Sequence, residues 1–403
     1  MTQITVYALG AYDRFNYGDM LFPIIAKNFL AQHYPQLGFQ CYALQTSDFS
    51  AYGGFPTQPI SKLSRPGILR DGDSILFCGG GTLGSDWYSM HANLLGKVGN
   101  HVIYYFRRVL GVATANDWSR RYFGSNSHFP WIADPQDFPA RVKVLYNAVG
   151  GSELARFPDD ERQLALNKLA QAAYLSFRDN ETQRLCTTAA AHNRLHVAPD
   201  SAVLMSEQYP LARLRTLITP ALTGQLANQR YVCFHANYNF VKQNLHTLTQ
   251  LLEALYREHR LTTVLLPIGR YVGLDDQIGL RALQQQLETP CALISDQASI
   301  WDIMYTVASA QLFIGTSLHG NVTSQSFAVP HIGLSSRRSK LDYYLETWDL
   351  PEQQVCSDLQ QVLAHAAQAL AVADHVLQEK RKQLIELATH NMHRIGQVSS
   401  NPI

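Results

Sequence analysis

The sequence predicts an α/β protein built from two Rossmann-like halves. Short apolar runs alternate with amphipathic helical patterns through most of the 403 residues, which is typical of parallel sheets covered by helices. The alternation comes in two series, separated by a polar, proline-containing stretch near Glu207–Asn228. At roughly 150 residues per domain, the length suits two or three domains.

The first series opens with a strand at Ile4–Tyr12 and an amphipathic helix at Leu21–His33. Further strands are predicted at Phe39–Leu44, Ser74–Cys78, Val142–Val149 and Ala173–Phe177, with a helical pattern at Asn180–Ala190. Short apolar runs of this length, bounded by turn residues, favour buried strands. We expect a first domain over residues 1–206.

The second series repeats this order. Its strands are predicted at Tyr231–Phe234, Thr262–Pro267, Ala292–Ile294, Leu312–Gly315 and His331–Leu334, and its helices at Asn244–Glu258, Asp276–Leu287, Ile300–Ala308 and Gly320–Phe327. We expect a second domain over residues 207–350. Residues 351–403 form a tail with helical spacing from Ser357 to Ile395, and we expect it to pack back across both domains.

Composition and sequence pattern argue against several classes of protein. A formal net charge of +1 argues against a nucleic-acid binder, and 46% hydrophobic residues argue against disorder. The N-terminus lacks the pattern of a signal peptide, and no apolar run is long enough for a membrane helix. Six scattered cysteines suit neither a zinc site nor a disulfide framework. We expect a cytoplasmic protein, with peripheral attachment to the inner membrane face as an option.

The segment 101–138 does not fit the alternation. It is rich in aromatic residues and carries Arg107, Arg108, Arg120 and Arg121. Exposed aromatics beside arginines would form a carbohydrate platform, a partner surface or a membrane-surface patch. The alternative is ordinary core packing of an inserted helical subdomain.

Residues that follow predicted strands are the candidates for a functional site, because ligands of such sheets bind at the carboxyl ends of strands. Asn16 and Asp19 lie in an Asn-Tyr-Gly-Asp motif after the first strand, where they either cap a helix or hold a substrate hydroxyl. Gly79, Gly80 and Gly81 follow another strand. Three glycines free backbone N–H groups to face an anion, although a tight turn is the alternative.

Two more strand ends in the first half carry charge. Arg178 directly precedes Asp179, and it either grips a phosphate or carboxylate or forms a salt bridge. Asp200 lies in a Pro-Asp-Ser-Ala element, where it either orients a catalytic group or caps a turn.

The second half supplies a histidine and a basic cluster. His319 follows a buried strand and opens a helix of small residues, which suits proton transfer, with a buried structural histidine as the alternative. Arg337, Arg338 and Lys340 follow the last strand of this half. They suit an anionic ligand or a solvated surface.

Together these motifs resemble the polysaccharide pyruvyl transferase family. That family shows N-x-G-D, a glycine triplet, an R-D pair, D-x-A, an R-x-H-G helix start ending in G/A-x-P, and a lysine. The matches in this chain are Asn16 to Asp19, Gly79 to Gly81, Arg178-Asp179, Asp200 to Ala202, His319-Gly320 with Ala328 and Pro330, and Lys340. One position departs, since Ser317 stands where the family usually has arginine. No motif covers residues 101–138 or the extreme C-terminus.

The resemblance implies a fold like the two-domain glycosyltransferase-B architecture, with the active site in the cleft. The first domain would take the acceptor and the second the donor. It implies transfer of a pyruvyl group from phosphoenolpyruvate to two hydroxyls of one sugar in a cell-surface polysaccharide or its precursor. Phosphate would be released and a cyclic ketal left. Phosphoenolpyruvate is a substrate, and neither a cofactor nor a metal is expected. The expected partner is a saccharide acceptor, free or lipid-linked, and homo-oligomerisation stays open.

The resemblance also implies roles for individual residues. His319 is the expected acid, with Asp19 and Asp200 as catalytic carboxylates, and Asn16 and Asp19 are expected to bind the acceptor. The expected donor-binding residues are Gly79, Gly80, Gly81, Arg178, Arg270, Ser317, Leu318, Arg337 and Lys340. Because Ser317 replaces an arginine associated with the donor, two alternatives stay open. They are a nucleotide-sugar glycosyltransferase of the same architecture and a non-catalytic family member.

Overall fold

A computed structural model of the chain describes residues 3–187, 195–227, 229–270 and 275–402, apart from the side chains of residues 97, 98 and 106. It contains two sheets of mainly parallel strands with helices packed against them, which confirms the predicted fold class. Parts of two predictions, residues 188–190 of the helical pattern and residue 228 of the boundary stretch, lie outside the described residues.

The first sheet has the strand order β3-β4-β2-β1-β5-β6-β7-β8. Its strands are β1 (Thr5–Leu9), β2 (Gly38–Ala43), β3 (Ser47–Asp48), β4 (Pro56–Pro59), β5 (Ser74–Cys78), β6 (Lys143–Val149), β7 (Tyr174–Phe177) and β8 (His196–Val197). All pairings are parallel except that of β3 with β4. The central strands β5 and β6 are buried along their whole length, as expected for strands covered on both faces.

Nine helices of the described residues precede the first strand of the second sheet. They are α1 (Tyr17–His33), α2 (Trp87–Ala92), α3 (Lys97–Leu110), α4 (Val112–Tyr122), α5 (Asp159–Leu169), α6 (Asn180–Leu185), α7 (Met205–Gln208), α8 (Leu211–Leu217) and α9 (Pro220–Leu226). The last three occupy the stretch that the sequence suggested as a polar boundary. Because Leu214, Leu222 and Leu226 are buried, this stretch is packed helix and not an extended connection.

The second sheet is wholly parallel and has the order β11-β10-β9-β12-β13-β14. Its strands are β9 (Tyr231–His235), β10 (Thr262–Leu265), β11 (Cys291–Leu293), β12 (Leu312–Gly315), β13 (His331–Leu334) and β14 (Val355–Cys356). Its helices are α10 (Tyr238–His259), α11 (Asp276–Gln286), α12 (Ile300–Ala308), α13 (Leu318–Ser326), α14 (Lys340–Trp348), α15 (Val362–Ala371) and α16 (Asp374–Ser400). The predicted tail is therefore two helices that break at residues 372 and 373. The domain limits at 206/207 and 350/351 stay predictions.

The largest apolar cluster runs from one sheet to the other. It joins Leu76 and Leu145 of the first sheet to Cys233 and Phe313 of the second through side chains of the intervening helices. A continuous cluster of this kind holds the two halves together, because separating them would expose its apolar surface to water.

The segment 101–138 shows both of the arrangements considered for it, core packing and exposed aromatic side chains. Phe129 and Trp131 are buried under the first sheet, whereas Tyr105, Trp118 and Tyr122 are exposed on α3 and α4. Within the described residues, no helix combines the length and hydropathy needed to span a bilayer.

Candidate active site

Each sheet reverses its strand order at one point, and a candidate motif follows there. In the first sheet the reversal lies between β1 and β5, so the loops that carry Asn16 and Gly79–Gly81 flank one crevice. In the second sheet it lies between β9 and β12, and His319 follows β12. Ligands of open α/β sheets bind at such reversals. The topology therefore directs the glycine triplet and the histidine to one shared region.

The glycine triplet adopts a conformation that other residues rarely take. Gly79 and Gly80 have φ values of +55° and +74°, and a Cβ atom on Gly79 would overlap the ring of Phe22. The Gly79 N–H donates to the Asn147 carbonyl at 2.8 Å, so this donor is already used. The predicted anion-binding role of the triplet therefore falls to Gly80 and Gly81.

Arg178 lies beside the triplet and is buried, with a side chain only 1% exposed. A Cβ atom at position 81 would lie 3.7 Å from its Nη2. Its Nη1 is 4.0 Å from Asp200 Oδ2 and its Nε is 3.8 Å from Asp179 Oδ2. Within the described part of the chain, Arg178 Nε has no hydrogen-bond partner. A buried guanidinium with an unused donor is suited to an anionic ligand.

Asp200 and His319 meet across the two halves. Asp200 Oδ1 accepts from the Ala202 N–H at 3.0 Å, which fixes the carboxylate and directs Oδ2 to His319 Nε2 at 3.6 Å. Both of these atoms are buried and lack a hydrogen-bond partner among the described residues. The imidazole packs edge-on against Phe22 and directly against Gly18, where a Cβ atom would overlap the ring.

Asp19 and Lys340 complete the cluster. Burial raises the pKa of Asp19, and the positive charges of His319 and Lys340 oppose this. Desolvation by the surrounding protein atoms, and then the charge of Arg178, lower the pKa of Lys340. Its side chain nevertheless reaches solvent, as expected in an open cleft. A Cβ atom at position 81 would lie 4.0 Å from Lys340 Cδ, so Arg178 and Lys340 flank Gly81 together.

Three other predicted residues serve the local fold. Asn16 caps α1, because its side chain accepts from the Gly18 N–H at 3.2 Å. Ser317 caps α13 and accepts from the Gly320 N–H at 3.2 Å. Leu318 is buried in the apolar cluster that joins the halves. Donor binding through the side chain of Leu318 is therefore disfavoured by its packing.

Arg270 and Arg337 make their contacts outside the cluster. The guanidinium of Arg270 lies 3.9 Å from the ring centre of Phe15 and 5.2 Å from that of Tyr52, and it donates to the Ala298 carbonyl. Burial lowers the pKa of Arg270 to about 10. Arg337 is exposed. The charge near His319 therefore comes from Arg178 and Lys340.

Sequence reasoning missed three residues that shape this region. Gly150 leaves room for Arg178, since a Cβ atom there would overlap the guanidinium, and its position just after β6 was an available signal. Tyr344 lies one helical turn after Lys340, and its pKa is raised well above the usual range by burial and then by the charge of Asp200. His235, at the end of β9, is 3.1 Å from Asp276.

The cluster brings two cations, two carboxylates and an imidazole to one cleft. This set can bind a multiply charged anion and exchange protons with it. In the described residues, no three His, Cys, Asp or Glu side chains come together as they would to hold a metal ion.

Solved structures with a similar fold are sugar-nucleotide and trehalose enzymes. UDP-GlcNAc 2-epimerase from Neisseria meningitidis, bound to UDP-GlcNAc, has a TM-score of 0.53 at 10% identity, covering 98% of both chains. The Methanocaldococcus jannaschii UDP-GlcNAc 2-epimerase in complex with UDP-GlcNAc and UDP has a TM-score of 0.53 at 9% identity, covering 93% of this chain and 94% of that one. The N-terminal domain of Candida albicans trehalose-6-phosphate phosphatase has a TM-score of 0.52 at 12% identity, covering 100% and 98%. At these identities the likeness shows a shared fold of two Rossmann-like halves.

Sequence comparison assigns the family. A search of curated proteins finds no significant match. The family model described as polysaccharide pyruvyl transferase matches residues 16–338. That range includes Asp19, the glycine triplet, Arg178, Asp200 and His319 of the cleft cluster, whereas Lys340 lies two residues beyond it. The chain therefore belongs to the polysaccharide pyruvyl transferase family.

Proposed function

We propose that this protein transfers a pyruvyl group from phosphoenolpyruvate to two hydroxyls of one sugar, forming a cyclic ketal and releasing phosphate. The observation that carries the proposal is the placement of both Arg178 and Lys340 beside Gly81, with Arg178 next to the Asp200–His319 pair. Phosphoenolpyruvate carries a phosphate and a carboxylate. Two cations and free backbone donors match these two anionic groups.

The reaction requires one proton to reach carbon and one phosphate to leave. The methylene carbon of the donor gains a proton and becomes a methyl group, while the first sugar hydroxyl oxygen bonds to the central carbon. The second hydroxyl oxygen then bonds to that carbon as the carbon–oxygen bond to phosphate breaks. The two hydroxyl protons are balanced by the new methyl C–H bond and by the proton carried away on phosphate.

Each step has a residue suited to it. Protonated His319 would donate to the methylene carbon, with the Asp200 carboxylate 3.6 Å away stabilising the imidazolium. Arg178 and Lys340 would hold the donor and stabilise the charge that develops on the leaving phosphate. Asp19, whose pKa is raised by burial, would take a proton from an acceptor hydroxyl.

A nucleotide-sugar donor is the competing hypothesis, since two of the structurally similar epimerases carry UDP-GlcNAc. A thermal unfolding assay separates the two donors. We expect phosphoenolpyruvate to raise the melting temperature, because a ligand at 100 times its dissociation constant adds about 2.7 kcal/mol of stability. UDP and UDP-GlcNAc should leave it unchanged.

The opposite result would replace the proposal. If UDP raises the melting temperature and millimolar phosphoenolpyruvate does not change it, the donor site is like that of a glycosyltransferase. Binding of phosphoenolpyruvate without phosphate release, over a panel of saccharide acceptors, would instead identify a family member that has lost catalysis.

A further inference from the structure

Helices α3 and α4 are joined by Gly111 and contact each other, and we call this helix pair the hairpin. Eight of the thirteen large hydrophobic side chains that are exposed in the described residues lie on it. They are Val102, Tyr104, Tyr105, Val109, Leu110, Val112, Trp118 and Tyr122, with exposed fractions from 45% to 70%. We call these eight side chains the hairpin surface. Exposed apolar side chains concentrated on one pair of helices favour an interaction surface.

The hairpin packs on α2 in a way that leaves much of this surface exposed. Its inner side buries Ile103 and Ala115 against Tyr88 and Ala92 of α2. Gly111, at φ +84°, makes the turn between the helices. Tyr104 also packs against Tyr88, and Trp118 and Tyr122 stack on His91 of α2, so these three rings contact the protein with one part and are exposed with the rest. The other five side chains are exposed beside them and can contact another molecule.

The charge around the hairpin surface is strongly positive. Residues 101–122 contain four arginines and one aspartate, a net charge of +3, although the whole chain has a net charge of +1. Arg108 is exposed, and Arg121 is 75% exposed. Asp117 pairs with Arg120 at 2.5 Å and with Arg121 at 2.8 Å. Asp86, just before α2, interacts with Arg107, which reduces the net charge of +3 by one and leaves +2 around the surface.

We propose that the hairpin surface binds the surface of an anionic lipid bilayer. Tyrosine and tryptophan side chains favour the boundary between lipid headgroups and acyl chains, and aliphatic side chains on the same face add buried apolar area. Arginines beside them are attracted to anionic headgroups. A second copy of this chain fits less well, because two identical faces would bring like charges together.

The position of the surface links it to the cleft. Residues 82–86 connect the glycine triplet to α2, which packs directly against the hairpin. A bilayer bound there would lie on the half expected to take the acceptor. If the proposed reaction is correct, a lipid-linked saccharide could enter the cleft from the membrane, but the binding itself does not depend on the reaction.

Vesicle sedimentation tests the proposal with the full-length protein. We expect it to sediment with vesicles of equal parts phosphatidylcholine and phosphatidylglycerol at low salt, and to stay in the supernatant with phosphatidylcholine alone. High salt should weaken binding. Trp118, which is 54% exposed, should give a blue-shifted fluorescence on binding, and Trp118→Phe should remove that shift.

Matched variants distinguish binding through the hairpin surface from nonspecific adsorption to vesicles. Tyr105→Ser combined with Val109→Ser should abolish sedimentation, whereas Ile278→Ser, at a side chain 51% exposed on α11, should not. Arg108→Glu should weaken binding about fivefold for each unit of charge lost, and Arg257→Glu, at a side chain 65% exposed on α10, should have little effect. All five substituted side chains are exposed. We therefore expect each variant to have the melting temperature of the wild type.

Three results would overturn the proposal. The first is wild-type protein that stays in the supernatant with anionic vesicles. The second is equal sedimentation of the Tyr105/Val109 double variant and the wild type. The third is a lipid-independent dimer that the double variant converts to monomer, which would make this face a contact between copies. Phosphate release with a soluble acceptor should be unchanged in the double variant, which keeps the outcome separate from the proposed reaction.

Discussion

Ser317 occupies the position at which the family usually carries arginine, and in this chain it caps a helix. Its hydroxyl accepts from the Gly320 N–H at the start of α13, the helix that carries His319. The sequence could show the departure from the family pattern. It could not show the helix cap, because that depends on where β12 ends and on the backbone conformation of residue 317.

We expect Ser317→Ala to lower the free energy of unfolding by about 1 kcal/mol, the usual cost of losing a serine cap. Ser317→Arg should cost a similar amount. In a working transferase it should also slow phosphate release, since Arg178 and Lys340 already supply positive charge near His319. Chemical denaturation and a phosphate assay on both variants measure the two effects. Faster turnover in Ser317→Arg would mean that the wild-type site lacks a needed cation.

His319 and His331 allow a matched test of the proposed acid. His319→Gln should reduce phosphate release by about 10²–10⁴-fold, the usual contribution of general acid catalysis, with a melting temperature close to that of the wild type. His331 instead pairs with Asp349 at 2.7 Å, away from the cleft cluster. His331→Gln should lower the melting temperature and leave the turnover of the folded protein unchanged. Normal turnover in His319→Gln would remove His319 from the mechanism.

The His331–Asp349 pair also predicts a pH dependence of stability. Burial alone would lower the pKa of His331, but the Asp349 carboxylate and its hydrogen bond outweigh this and raise it above 6.5. The pair therefore contributes fully below pH 6.5, and its contribution is lost as the pH rises through the folded-state pKa. The difference in melting temperature between wild type and His331→Gln should narrow over that range. A difference in melting temperature that widens as the pH rises would contradict the raised pKa of His331.

At the scale of elements, apolar periodicity predicted most of the central strands and many of the helices. It could not find β3, β8 and β14, which are only two residues long and carry no measurable period. It also treated α7–α9 as a boundary, because proline and polar residues outnumber the few leucines that pack inward. At the strand ends, sequence position alone brought Arg178, Asp200 and His319 into consideration, since parallel strands share one carboxyl edge. It could not show the aromatic contacts of Arg270, because Phe15 and Tyr52 lie far from Arg270 in the chain.

The loop after β6 gives a prediction at this scale. A Cβ atom on Gly150 would overlap the Arg178 guanidinium, which would have to move away from Gly81. We expect Gly150→Ala to weaken phosphoenolpyruvate binding about tenfold or more, as for loss of a charge-assisted contact. Gly224→Ala is the control. It lies in α9 with open space around the new methyl group and should stabilise the protein by about 0.5–1 kcal/mol. Unchanged donor affinity in Gly150→Ala would mean that Arg178 does not hold the donor.

At the scale of the whole molecule, the site depends on contacts that no single half contains. His319 from the second half meets Asp200 from the first. Trp348 of α14 donates through Nε1 to the Arg178 carbonyl at 2.6 Å. Two βαβ series could be predicted from the sequence, but not how they face each other, because that orientation is set by side chains far apart in the chain. Helix α16 helps to set this orientation because it contacts both halves. Arg381 donates to the Ser326 carbonyl of the second half, and Asn391 contacts the first sheet.

Asn391 gives the clearest test of this long-range role. Its Oδ1 accepts from the Tyr174 hydroxyl at 2.7 Å, and its Nδ2 donates to Asn147 Oδ1 at 2.7 Å. Asn391→Ala would leave two buried polar groups without this partner, at about 1–3 kcal/mol each. We therefore expect a loss of roughly 2–6 kcal/mol in the free energy of unfolding, measured by chemical denaturation. Gln383→Ala, at an exposed position of the same helix, should change it by less than about 0.5 kcal/mol. Equal stability of the two variants would mean that α16 lies on the first sheet without contributing to the fold, and that the apolar cluster alone holds the two halves in register.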